Sequence, residues 1–397
     1  MKLSSRVKKI KPSATLAVSA AAKAMQAQGI DVIGFGAGEP DFDTPQHIKD
    51  AAIKALNAGF TKYTPESGID ELKQAVADKF KRDNGLEYKK DQVIVSVGGK
   101  HCLFNAYMAT LNKGDEVVIP APYWVSYPDM ALLADAKPVF VPSAEKNGFK
   151  IKPADLAKAL TKKTRLVIIN SPSNPTGSAY TKKELQGLAA VLKKSDCYVV
   201  CDDIYEHIVY DGFEFHSFAS VAGKELFERC IVVNGASKAY SMTGWRIGYA
   251  AGPREVISAM SKIQGQSTSN PTSFAQKGAV AALNGPQDFM KTMVAEFRKR
   301  RDYAVKTLNN MKGITCYNPQ GAFYVLPCFK AYIGKSWKGE KIKDDVALCK
   351  FLLDEVKVAA VPGGAFGAPG YIRLSYATSM KNIEEGLRRI EKGIALL

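Results

Sequence analysis

Seven short apolar, β-branched runs, beginning at Val93, Val117, Val139, Leu166, Val199, Ile231 and Ile247, alternate with helical stretches that begin at Lys100, Val125, Pro153, Lys182 and Pro253. Runs without polar alternation read as strands buried on both faces, and strand-helix alternation predicts a mainly parallel sheet covered by helices. The chain is therefore expected to be α/β. From about Phe297 the pattern changes. Gly321–Leu326, Val358–Val361 and Tyr371–Ser375 read as strands, and Asp344–Glu355 and Met380–Leu396 as helices, which predicts a smaller α+β domain.

A length of 397 residues exceeds one ordinary core and suggests two domains. Hydrophobic content of 46% with 24% charged residues is globular, and the chain lacks an apolar stretch of roughly 18 residues or more, so no membrane span is expected. The net charge of +16 raises the question of nucleic acid. The basic pairs at Lys8, Lys89, Lys162, Lys182 and Lys193 are scattered, however, and read as a solvated exterior. The densest run, Arg298-Lys299-Arg300-Arg301, lies inside a helical pattern from about Gln287 to Asn310, with no stacking motif or zinc-ligand spacing beside it. Neither nucleic acid nor a metal is expected. Seven cysteines without a close CxxC pair are not a disulfide framework, and Cys197, Cys201 and Cys230 fall in or beside buried strands. That use of cysteine predicts a reducing, cytoplasmic setting. The basic Met1–Lys11 and small, apolar Ala14–Ala22 have a superficial likeness to a leader, but the run stops at Lys23 and is read as part of the folded protein.

The chemistry is concentrated in Gly235-Ala-Ser-Lys-Ala-Tyr-Ser-Met-Thr-Gly-Trp-Arg-Ile-Gly248, which places Lys238 eight positions before Arg246 among small residues. A desolvated lysine amine condenses with an aldehyde, and a guanidinium forks onto a phosphate with two parallel hydrogen bonds. Pyridoxal phosphate carries both groups on one ring. Upstream, the strand Val199–Cys201 ends in Asp202, with Tyr205 three positions on. Ser171-Pro-Ser-Asn174-Pro-Thr-Gly177 follows the run from Leu166 to Ile169, 28 residues before Asp202. Ser96-Val-Gly-Gly99-Lys100 closes the strand Val93–Val97 and opens a helix, where backbone amides cradle phosphate and glycines let it approach. Taken alone, Asp202 could equally cap a helix, Asn174 could sit in a plain turn, and Trp124, in Ala121–Tyr127, could be a core residue.

Together these segments resemble the class I, fold type I, pyridoxal-phosphate-dependent aminotransferases, and the resemblance runs from about Lys11 to the C-terminal helix. It implies a seven-stranded sheet with one antiparallel strand, supplied after Lys238. It also implies a large cofactor-binding domain over 46–296, a small domain over 297–397, and residues 1–45 joining the small one. Lys238 would carry the cofactor aldehyde and move the substrate α-proton. Asp202 would face the ring nitrogen, in preference to the neighbouring Asp203. Tyr205 and Asn174 would donate to the ring oxygen, Trp124 would stack on the ring, and Gly99, Lys100, Ser237 and Arg246 would hold the phosphate. Gly38, in Gly36-Ala-Gly-Glu-Pro-Asp-Phe42, would lie near substrate, and Arg373 would grip its α-carboxylate. Tyr63 corresponds to a tyrosine that reaches the neighbouring subunit's cofactor, which implies a homodimer with sites at the interface. Within the family, the Gly-Gly-Lys loop marks the bacterial aspartate aminotransferase subgroup, with Lys100 expected at the aspartate side-chain carboxylate and Thr15 close by. Members with this pair sometimes also use prephenate. The expected reaction transfers an amino group between L-aspartate and 2-oxoglutarate; a bifunctional aspartate/prephenate enzyme, or another aminotransferase or lyase of the same cofactor family, is the alternative. A nicotinamide dehydrogenase would need G-x-G-x-x-G after a strand and an acidic residue about 20 positions on, and this chain has neither.

Overall fold

Alternate residues of the seven predicted strands fall into two separate cores, and the computed structural model, which describes residues 2–397, pairs all seven in one sheet. Met1 lies outside the described residues. In chain order the strands are β1 (Ile33–Gly34), β2 (Val93–Val97), β3 (Glu116–Ala121), β4 (Lys137–Pro142), β5 (Thr164–Asn170), β6 (Tyr198–Asp202), β7 (Cys230–Gly235), β8 (Ile247–Ala251), β9 (Tyr324–Val325), β10 (Ser336–Trp337), β11 (Glu340–Lys341), β12 (Val358–Ala359), β13 (Val361–Pro362) and β14 (Ile372–Ser375). The large sheet has the order β2-β8-β7-β6-β5-β3-β4. All its pairings are parallel except those of β8, which runs against both β2 and β7.

Val93, Val95, Val167, Val199 and Val232 pack on one face of this sheet, and Ile94, Leu166, Val200, Ile231 and Val233 on the other. The period of two puts successive side chains on opposite faces, so a strand covered by helices on both sides must be apolar throughout. The helix Lys182–Leu192 shows how such a cover is specified: Thr181 and Glu184 form a reciprocal capping box, and Leu185, Leu188, Ala189 and Leu192 line its buried stripe. At the free edge, β4 begins at Lys137 and contains Pro138 and Pro142, residues that discourage further strand pairing.

A third core gathers the helices Asp288–Asn310, Asp345–Val356 and Met380–Ile394 around β9, β13 and β14, with Phe35, Phe297, Phe323, Leu352 and Ile390 inside. Strand β1 pairs with β12 here, which ties the N-terminal segment to the C-terminal third. Two expected strands differ from the sequence reading. Gly321–Leu326 narrows to β9 because Ala322 takes φ +56°, outside extended geometry. Val358–Val361 divides at Ala360, since β12 pairs with β1 while β13 pairs with β14.

The basic run in the long helix is also not simply solvated. Arg300 and Arg301 are 6% and 2% exposed, with Arg300 paired to Asp41 and Glu296 and Arg301 to Asp211 and Asp302. Cys197, Cys201 and Cys230 are buried as expected. Among the described residues, no helix is long and apolar enough to cross a membrane.

Candidate active site

Five strands of the large sheet, β2, β3, β5, β6 and β7, end at one edge, and the loops that follow them carry Gly99, Trp124, Asn174, Tyr205 and Lys238 respectively. In an open parallel sheet this carboxyl edge is where ligands bind. The antiparallel β8 serves the same edge from the opposite end. It starts there, so Arg246, the residue before it, is set beside the ends of β2 and β7, and Gly248 pairs with both Ser96 and Gly235.

The Gly98-Gly99 turn is closely packed and tightly wound. Gly98 has φ +85° and ψ 162°, open essentially to glycine alone, and opens the helix Gly99–Thr110. A Cβ on Gly98 would strike the Arg246 guanidinium, and one on Gly248 would land on the Gly98-Gly99 peptide. Arg246 itself is held at φ +56° and donates from Nη1 to the Thr243 carbonyl at 2.7 Å. Helix-start amides and the Arg246 guanidinium thus form a cradle at Gly98 with no room for a side chain there.

Lys238 points into the cleft and donates to the Gly38 carbonyl at 2.5 Å. Burial brings its amine down to about 8 from 10.5, with the Arg246 and Arg373 cations adding to the effect against the carboxylates of Glu39 and Asp202. The unprotonated, nucleophilic form is thereby reached at lower pH than in an exposed lysine. Asp202, 5% exposed, closes β6, and residues 204–207 form a turn, so it caps no helix. Burial raises its carboxyl to about 6, against the hydrogen bonds it accepts and the nearby Lys238. A cation placed beside it would draw that value back down. The adjacent Asp203 is buried among Ser217, Glu206 and Lys79, and its carboxyl is pushed well up by burial.

Across the cleft stands Arg373, 2% exposed on β14. Its Nη1 donates to Asn174 Oδ1 at 3.0 Å and its Nη2 to the Gly36 carbonyl at 2.8 Å, while Nε has no partner. Tyr324 and Phe366 lie on its faces, 4.6 and 4.9 Å from ring centre to Cζ. With Asn174 Oδ1 engaged by Arg373, the amide NH2 is the group left to donate. Tyr205 shares a hydrogen bond with Tyr324, hydroxyl to hydroxyl, at 2.9 Å. Lys100 holds its ammonium 5.0 Å from the Trp124 ring centre, and its pKa is lowered by burial and then by Arg246.

Two predicted residues stand apart. Thr15 sits in the first turn of the helix Ala14–Ala27, where its hydroxyl meets Ser13 at 2.8 Å and no side chain of the cleft. That helix nevertheless packs on β13, which pairs Val361 with Arg373. Tyr63 is 90% exposed. The sequence reading passed over three residues of the cleft: Tyr127, whose hydroxyl donates to Asp202 Oδ2 at 2.5 Å; Tyr324; and Glu39, which accepts from Thr243 at 2.8 Å. Tyr127 could have been found, since it stands three positions after Trp124 at a helix start, the spacing of side chains sharing a helix face.

The family model for aminotransferase class I and II matches residues 30–390. The aspartate/prephenate aminotransferase of Nitrosomonas europaea is 52% identical over 393 residues, covering 98% of this chain and 99% of its own. The enzyme of that name from Cereibacter sphaeroides is 54% identical over 391 residues, with 98% of each covered. Among solved structures, the aspartate aminotransferase of Rhizobium meliloti superposes with a TM-score of 0.96 at 47% identity and full coverage of both chains. That of Thermus thermophilus with maleate gives 0.93 at 44% identity, covering 99% of this chain and 100% of that one. With Lys238, the Gly98-Gly99 turn and Arg246 gathered at one sheet edge and the match running nearly end to end, the chain belongs to the class I and II aminotransferase family.

Proposed function

We propose that the protein is an aspartate aminotransferase that uses pyridoxal 5'-phosphate, converting L-aspartate and 2-oxoglutarate to oxaloacetate and L-glutamate. The observation that carries this reading is the desolvated Lys238 amine in a cleft whose walls are Asp202, Asn174, Arg373 and the Gly98-Gly99-Arg246 cradle. The cofactor, when bound, supplies an aldehyde that condenses with amines and a ring that accepts the electrons of a broken Cα–H bond. In this reading the amides at Gly99 and Lys100, together with Ser237 and Arg246, bind the phosphate. Asp202 balances charge at the ring nitrogen, Asn174 and Tyr205 donate to the ring oxygen, and Trp124 covers one ring face. Arg373 orients the substrate α-carboxylate by bidentate pairing, beside the Gly38 backbone. Lys238, once its amine is free, would take the proton from the substrate α-carbon and hold it for delivery to the aldehyde-derived carbon that the cofactor supplies. Alternate use of two substrates by one site should appear as ping-pong kinetics.

Lys100 is the residue proposed to meet the distal carboxylate of aspartate, with Thr15 brought in from the N-terminal helix. Tyr63 of the partner subunit is proposed to complete the phosphate site of a homodimer. Its 90% exposure, and an open groove of about 690 Å³ lined by Phe42, Ile53, Leu56, Trp245 and Phe274, support that assembly. The same reading assigns 46–296 to the cofactor-binding domain, joins 1–45 to 297–397 in the small one, and places the protein in the cytoplasm.

A second reading, a bifunctional aspartate/prephenate aminotransferase, is favoured by the name carried by curated relatives at about half identity and by the presence of both Lys100 and Thr15 in the sequence. Purified protein loaded with pyridoxal phosphate, mixed with aspartate and 2-oxoglutarate and separately with glutamate and prephenate, tests both. Oxaloacetate in the first mixture supports the main reading. Consumption of prephenate in the second adds the bifunctional one, and no amino transfer in either rejects both.

A further inference from the structure

We propose that Tyr127 is the positioning residue for Asp202: its hydroxyl occupies one carboxylate oxygen and leaves the other turned to the ring nitrogen of bound pyridoxal phosphate. The inference rests on the cofactor assignment made above and extends it to a residue that touches neither substrate nor cofactor.

The geometry at Asp202 is unequal. Oδ2 accepts the Tyr127 O–H at 2.5 Å, whereas Oδ1 receives only a long contact from the Ile204 amide at 3.4 Å. One oxygen is therefore engaged by a strong donor from the protein and the other is underused. The main chain of Asp202 is pinned independently, because Asn170 Nδ2 donates to its carbonyl at 2.8 Å. What remains to be fixed is rotation of the carboxylate, and Tyr127 is the side chain that fixes it. Tyr127 has little freedom of its own. It is 2% exposed in the first turn of the helix Ser126–Leu133 and meets the Trp124 ring edge-on, with centroids 5.3 Å apart and planes at 80°. A single turn of chain after β3 thus presents one aromatic ring in the cleft and one phenol behind Asp202.

The protonation states agree with this division of labour. Burial, and then the charge of Asp202, push the Tyr127 phenol well above its usual range, so it remains a donor. Burial drives the Asp202 carboxyl upward, and the Tyr127 hydrogen bond opposes that rise. Without the phenol, a carboxylate that is 5% exposed would keep only the long amide contact, and its neutral form would gain. A neutral Asp202 offers no countercharge to a protonated ring nitrogen. The nearby Tyr107 is no substitute, since its buried hydroxyl has no hydrogen-bond partner.

The test compares two cofactors on apoenzyme: pyridoxal phosphate and its 1-deaza analogue, in which carbon replaces the ring nitrogen. Dissociation constants for both are measured on wild type and Tyr127→Phe from the visible band of the bound cofactor. Wild type should prefer pyridoxal phosphate. In Y127F, affinity for pyridoxal phosphate should fall on the order of 10-fold or more, the scale of a hydrogen bond to a charged group. Affinity for the analogue should be unchanged, which also shows that the variant site is folded. An equal loss for both cofactors, or an unchanged preference, overturns the assignment of Tyr127. Failure of wild type to bind pyridoxal phosphate at all would instead remove the cofactor reading, and this inference with it.

Discussion

Replacing Lys100 with methionine separates substrate selection from catalysis, because the change removes a charge and keeps most of the side chain. Lys100 contributes in two ways, and their magnitudes differ. Its ammonium lies 5.0 Å from the Trp124 ring centre, a cation–π contact. Contacts of that kind at exposed positions contribute about 0.5–1 kcal/mol, or roughly 2- to 5-fold. That loss acts through the Trp124 ring and falls on every substrate alike. The second contribution is the proposed pairing with a distal carboxylate. A hydrogen bond to a charged group is worth about 1.5–3 kcal/mol, or roughly 12- to 150-fold in kcat/KM. Lys100 is only partly withdrawn from water, so the lower half of that range applies. The assay is kcat/KM for L-aspartate and L-alanine on wild type and K100M. Aspartate should lose on the order of 10- to 50-fold more than alanine, and glutamate and prephenate should fall with aspartate. Equal losses for aspartate and alanine would take Lys100 out of the specificity role and leave it only the Trp124 contact.

Three further outcomes follow from the same geometry. The unprotonated fraction of Lys238 should rise through about pH 8 in place of 10.5, since burial favours the neutral amine; the rate at which apoenzyme forms its visible band with pyridoxal phosphate should follow, and a midpoint near 10.5 would refute the desolvated amine. Gly98→Ala forces a Cβ into the Arg246 guanidinium at φ +85°, so affinity for pyridoxal phosphate should drop on the order of 10-fold while that for phosphate-free pyridoxal holds; parallel losses would dissociate the cradle from phosphate binding. Lys79→Met strands Glu206, which is buried and bonded to Lys79, Asn84 and Asn234, and should cost about 3–5 kcal/mol in urea unfolding at neutral pH. Burial pushes the Glu206 carboxyl up, but Lys79 and His207 hold it well below the usual range. The pair's stabilisation is thus present above the unfolded carboxylate pKa and is lost as pH falls through the depressed folded one. A variant as stable as wild type at neutral pH and at low pH alike would show the pair to be energetically idle.

Much of the cleft was legible from residue type and spacing because its chemistry is tied to short segments. Lys238 and Arg246 belong to one small-residue stretch, and Asp202, Asn174 and Gly99 each follow a recognisable buried strand. The strands themselves were readable since burial on both faces demands unbroken apolar runs. The failures fall where a residue's environment comes from distant chain. Gly321–Leu326 contains strand-forming residues, yet a positive φ at Ala322 cuts the strand to two. Arg300 and Arg301 look like surface charges until Asp41 and Asp211 are folded against them.

The sequence by itself determined the α/β order of elements and the side chains offered to the cleft, an amine, guanidinium groups and a carboxylate, since these are properties of residue type and local periodicity. Only the tertiary structure decided which acid of the Asp202-Asp203 pair faces the cleft, that Tyr127 stands behind it, and that Arg246 reaches the Gly98 turn. Each of these depends on strand alternation and on an antiparallel β8, which bring together residues separated by tens to hundreds of positions, and no local pattern records that proximity.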